Sequence, residues 1–70
     1  MKLKYDLQTD ILRIRFSDKK VAESEENKNG IIIDYDNDGN ILGIEILKAS
    51  KQISNPKQVE YEVESKKCGR

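Results

Sequence analysis

Seventy residues fit a single domain, and a chain this short buries only about 60% of the surface it exposes when unfolded. Apolar residues make up 36% and charged residues 37%, so core material is scarce and either tight sheet packing or a partner subunit must supply further burial. Thirteen basic and thirteen acidic side chains cancel, leaving no overall positive field to draw the chain onto nucleic acid or an anionic membrane.

The absence of histidine removes the commonest general base and the commonest metal ligand, which excludes serine–histidine and cysteine–histidine mechanisms and most zinc sites. Cys68 is the only cysteine. It allows no intrachain disulfide and suits a reducing compartment; as a reactive thiol beside Lys66, Lys67 and Arg70 it is a weak candidate. The longest apolar run, Ile31-Ile32-Ile33, is too short to span a bilayer, and Met1-Lys2-Leu3-Lys4 lacks the apolar stretch of a signal peptide. The expectation is a cytoplasmic protein without membrane attachment.

Along the chain the apolar residues recur with the two-residue period of strands. Leu3 and Tyr5 alternate with Lys2 and Lys4, and Leu12, Ile14 and Phe16 alternate with Arg13 and Arg15. With the polar segment Leu7–Asp10 as the loop, Tyr5 faces Leu12 and Leu3 faces Ile14, so the apolar faces coincide. Residues 17–29 form a charged connection expected to be loop-like, with Val21–Ser24 as the candidate for a short edge strand.

A second hairpin is signalled by Asp38-Gly39, the dipeptide favoured in a type I′ turn with both central residues at positive φ. Counting outward pairs Asn37 with Asn40, Asp36 with Ile41, Tyr35 with Leu42, Asp34 with Gly43, Ile33 with Ile44, Ile32 with Glu45 and Ile31 with Ile46. The apolar pairs then share one face, and a one-residue slip would scramble them. Ile32 and Ile41 fall on the other face among Asp34, Asp36 and Glu45. If the hairpins lie side by side, the basic stripe Lys2, Lys4, Arg13 and Arg15 meets this acidic one, and cross-strand ion pairing accounts for both.

Farther on, Lys48–Ile53 is expected to make one or two helical turns, stopped by Ser54-Asn55-Pro56 because the residue before proline avoids the helical region. Val59, Tyr61 and Val63 then alternate with Glu60, Glu62 and Glu64 and read as a last strand. Residues 65–70 read as a disordered tail. The expected fold is mainly β with a small helical part: one domain over residues 1–64, an antiparallel meander of two hairpins with one short helical segment and a C-terminal strand.

One motif points to chemistry. Asp34, Asp36, Asp38, Gly39, Ile41 and Glu45 match the spacing of a calcium-binding EF-hand loop, including the glycine at its sixth place and the glutamate at its twelfth. An EF-hand needs a flanking helix on each side, whereas Gly30-Ile31-Ile32-Ile33 is a β-branched entry. In the hairpin register Asp38 sits in the turn and Glu45 lies several residues from the tip, so the cage does not close, and we read the segment as a hairpin. The same carboxylates as a general acid/base pair lack any accompanying nucleophile, phosphate-cradling loop or oxyanion donor.

The strings Gly30–Asp36, Asp38–Leu47 and Ala49-Ser50, with Tyr5-Asp6, Asp10 and Leu12, resemble the signature of a small prokaryotic family catalogued as domain of unknown function 2283, over most of residues 3–53. The resemblance implies a fold and assigns no activity or catalytic residue. It also implies a likeness, in some members, to the small partner of toxin–antitoxin-like pairs.

Together these readings describe a non-enzymatic protein-interaction or homo-oligomerising module without a cofactor, with a second copy or a small protein as partner, an antitoxin-like role being one form that the resemblance implies. Its expected surface is Ile32, Ile41, Val59, Tyr61 and Val63. The alternative is a divalent-cation protein using Asp34, Asp36, Asp38 and Glu45. Nucleic-acid binding through Lys2, Lys4, Arg13 and Arg15 is not expected.

Overall fold

Strand-forming alternation runs through most of the first 47 residues, and a computed structural model, which describes residues 1–66, turns it into one sheet. The elements are β1 (Lys2–Asp6), β2 (Ile11–Arg15), β3 (Glu23–Glu26), β4 (Ile31–Tyr35), β5 (Ile41–Leu47) and α1 (Ala49–Gln52). All neighbouring strands are antiparallel, in the order β1-β2-β5-β4-β3. Thus β3, β4 and β5 form a meander, and the β1–β2 hairpin joins it along β5. The fold is mainly β with one short helix, as expected.

The first hairpin has the expected register, Leu3 opposite Ile14 and Tyr5 opposite Leu12. The two hairpins meet side by side: Leu12 pairs with Ile46, Ile14 with Ile44 and Arg13 with Glu45. Apolar positions therefore continue across β1, β2, β5 and β4 on one face, because a side chain directly opposite another must share its face.

In the second hairpin the body is as counted, from Ile31 opposite Ile46 to Asp34 opposite Gly43. The turn is different. Asp36 N donates to Asn40 O (3.0 Å) and Gly39 N to Asp36 O (3.1 Å), and of the turn residues only Gly39 has positive φ, +84°. This is a three-residue loop, a type I turn closed by a left-handed glycine, in place of the two-residue type I′ turn. The odd residue shifts the pairing at the tip, and a β-bulge between Asp34 and Tyr35 absorbs it, so that Tyr35 lies opposite Ile41 and Leu42 is the extra residue. The two irregularities cancel, which is why the body keeps its register.

Two other expectations are corrected. The stretch after β2 is not all loop: the edge strand for which Val21–Ser24 is the candidate forms two residues later as β3, Glu23–Glu26, pairing with β4 at the sheet edge. Its Glu-Ser-Glu-Glu sequence has low strand propensity, but the free backbone groups of β4 supply a template, and charge suits an exposed edge. Arg15 steadies the crossing chain through its Nε to Ser17 O (3.1 Å) and its Nη2 to Lys19 O (3.3 Å). Conversely, Val59–Val63 forms no strand, although its alternation is regular. Periodicity makes a segment fit to pair, but it does not provide an edge within hydrogen-bonding reach.

The fully buried apolar side chains among the described residues are Leu12, Leu42 and Ala49. The small helix brings Ala49 in. Lys48, in the left-handed region at φ +52°, turns the chain from β5 into α1, and Gln52 Nε2 donates to Leu47 O (2.8 Å) and Asn29 O (2.9 Å). The expected tail lies partly outside the described residues, as does Cys68.

Candidate interaction surface

The register places Leu3, Tyr5, Leu12, Ile14, Ile31, Ile33, Tyr35, Ile44 and Ile46 on one face. Of these only Leu12 is fully buried; Leu3 is exposed and the others are half-buried. The face is apolar and only partly covered. A sheet normally buries such a face under a second layer, and the described helix spans four residues.

One end of the face is closed by a polar clasp that sequence reasoning did not find. Asp10, at φ +57°, accepts from Tyr5 Oη (2.5 Å) and from Ser50 N (2.9 Å) at Oδ1 and from Ser50 Oγ (2.6 Å) at Oδ2, while its carbonyl accepts from Ala49 N (2.9 Å). It ties β1, the β1–β2 turn and α1 together. The Ser50 and Tyr5 hydrogen bonds hold the Asp10 carboxyl below the usual carboxylate range, and the same Asp10 bond raises the Tyr5 phenol. The signal was present in the strings Tyr5-Asp6, Asp10 and Ala49-Ser50, but nothing local says that positions 40 residues apart meet.

The calcium-loop carboxylates are dispersed. Asp34 is only 8% exposed, because β3 pairs alongside it and Ser24 Oγ donates to its Oδ1 at 2.6 Å. Asp36 accepts from Asp38 N and Asn40 N, each at 2.9 Å, and from Asn40 Nδ2 at 3.2 Å; the two Asn40 bonds lead in lowering its pKa. Asp38 is at the turn tip. Glu45 lies 3.7 Å from Arg13 Nε, the cross-strand ion pairing expected between the two stripes. Among the described residues no group of three or more carboxylates or cysteines gathers to hold a metal ion.

Nor do the expected surface residues form one patch. Ile32 is half-buried between Glu26 and Glu45. Ile41, moved by the bulge, lies opposite Tyr35 and so on the face of Ile33, away from Ile32. Val59, Tyr61 and Val63 are 57%, 77% and 74% exposed, and Val59 and Tyr61 line a hollow of about 310 Å³ with Met1 and Leu3, beside β1. The surface that emerges is the open apolar face with β1 at its margin.

A family model described as a protein of unknown function, DUF2283, matches residues 2–50. The chain belongs to that family. The match ends within α1, so the DUF2283 region holds the whole five-stranded sheet and both partners of the Asp10–Ser50 clasp, while the Val59–Val63 segment lies beyond it. Comparison with curated proteins and with solved structures finds no match. No helix of the described chain is long and apolar enough to cross a membrane.

Proposed function

We propose that this DUF2283 chain is a non-enzymatic protein-interaction module that works as a homo-oligomer or on a small protein partner, an antitoxin-like role being one form of it. The observation that supports the reading is the single-layer sheet, whose apolar strand residues, Leu12 and Leu42 apart, are left partly or wholly exposed. Leaving Ile14, Ile33, Ile44 and Ile46 partly exposed forfeits roughly 25 cal/mol for each Å² a partner would cover, and contiguous apolar faces of this kind mark interaction sites. A cytoplasmic setting goes with a single cysteine.

The test is sedimentation at micromolar concentration together with affinity capture by the tagged chain. A concentration-dependent dimer, or a defined partner held in stoichiometric amount, supports the reading. Monomer throughout, with nothing held, removes it.

A further inference from the structure

Resting on the reading just given, and naming its surface and occupant, we propose that residues 58–64 of one copy add as an antiparallel strand to the free edge of β1 in a second copy, reciprocally, to give a closed two-fold dimer.

The five-stranded sheet has two open edges, β1 and β3. The residues beyond α1 alternate Val59, Tyr61, Val63 with Glu60, Glu62, Glu64, a strand pattern without a partner strand. Laid antiparallel along β1 with Tyr61 opposite Leu3, Val59 meets Tyr5 and Val63 meets Met1, which extends the apolar face. In the same register Glu60 meets Lys4 and Glu62 meets Lys2 on the other face. One alignment thus satisfies hydrophobic and charge pairing together. The β3 edge is excluded by sign, since Glu23, Glu25 and Glu26 would stand against the glutamates of the incoming strand.

A second copy, rather than the chain's own β1, is indicated by where the segment lies. Val59 and Tyr61 reach Met1 and Leu3, yet no ladder forms and Tyr61 and Val63 stay 77% and 74% exposed. Exchange between two copies gives each segment an edge to pair with and makes an isologous interface that closes on itself instead of propagating.

Two charge-reversed chains test this, one carrying Lys2→Glu and Lys4→Glu, the other Glu60→Lys and Glu62→Lys. Each alone is expected to dimerise at least about tenfold more weakly than the wild type, four cross-strand pairs having become repulsive at a few tenths of a kcal/mol each. An equimolar mixture is expected to recover the dimer, because in the mixed pair both interfaces again join opposite charges. Circular dichroism checks that the sheet persists, and a chain ending at Lys57, expected to be a folded monomer, gives the same answer if a reversed chain misfolds. A dimer that survives both reversals and the truncation overturns the strand exchange while leaving the interaction reading intact. A wild type that is monomeric, but holds a different protein, overturns the exchange in the same way, and a monomer that holds nothing overturns both.

Discussion

Asp10 holds a backbone conformation that costs an ordinary residue roughly 1–2 kcal/mol, and it is a residue whose short carboxylate bonds back to its surroundings. With Asp6, whose carboxyl accepts from the Thr9 and Gln8 amides, and Asp36, it has its pKa lowered in the folded chain from an ordinary value near ~3.9. A lowered folded value means that the unfolded chain takes up protons first. These groups therefore contribute stability that is present above about pH 4 and lost as pH falls through their folded values. Tyr5 has the opposite sign: its raised pKa favours the neutral phenol, so its contribution holds below about pH 10 and is lost above. A thermal melt series from pH 2 to 7 should show Tm falling below about pH 4, with Asp10→Asn melting lower at neutral pH and showing a shallower acid limb. Equal melting of the two proteins at pH 7 would mean that the charge of the Asp10 carboxylate contributes nothing to stability. The glycines separate two further costs. A Cβ at Gly43 would lie 2.7 Å from Ile14 O, whereas one at Gly39 meets nothing within 4 Å. Urea unfolding should give Gly43→Ala a loss near the upper end of about 1–3 kcal/mol from forced backbone movement, and Gly39→Ala about 1–2 kcal/mol from its φ alone. Gly39→Asn should cost less, because asparagine tolerates the left-handed region.

At the scale of elements, the β4–β5 hairpin shows how a sheet absorbs an irregular turn. Asn37 is the second residue of the type I turn and Asp38 the third, and Gly39 supplies the positive φ (+84°). Proline is favoured at the second position of such a turn, so Asn37→Pro should leave Tm unchanged or raise it by the equivalent of about 0.4–1 kcal/mol through a less flexible unfolded chain. In a type I′ turn the same residue would stand in the ladder opposite Asn40, and its lost N–H would lower Tm. The melting temperature of this one variant therefore reports which turn is present. The bulge also has a consequence for the surface, since it turns Ile41 away from Ile32 and buries Leu42 to 2% exposure. Truncating Leu42 to alanine should cost about 2–5 kcal/mol, a large fraction of what a domain of this size possesses.

For the molecule as a whole, the Arg13–Glu45 pair is partly exposed at 43% and 28%, and pairs of this kind contribute about 0–1 kcal/mol. Ion pairing therefore aligns the two hairpins without holding them, and 0.5 M salt should move Tm by no more than about a few degrees. Burial of the apolar face stabilises the molecule more than this pair does. If a second copy pairs with this sheet, folding and assembly are linked by mass action, and Tm should rise with each tenfold increase in protein concentration. Calorimetry over a hundredfold range of concentration reads this directly, and a concentration-independent Tm would mean that the sheet is stable as a single layer.

By itself the sequence determined the strands whose signal is local: Leu3 opposite Ile14, Tyr5 opposite Leu12, and the run from Ile31 to Asp34 against Gly43 to Ile46, because alternation and turn position jointly fix register. It also determined that the Asp34–Glu45 segment is a hairpin, since β-branched residues enter it. Only the tertiary structure decided the rest, where the deciding contacts are distant in sequence. Glu23–Glu26 became a strand because β4 offered it an edge, whereas Val59–Val63 forms no ladder although Val59 and Tyr61 lie beside β1. Asp10 met Ser50 because the β1–β2 turn folds against α1. The kind of turn at Asp36–Asn40 was decided between two close alternatives by the bulge at Leu42, which lets the hairpin tip shift while the body of the sheet keeps the pairing that its apolar face requires.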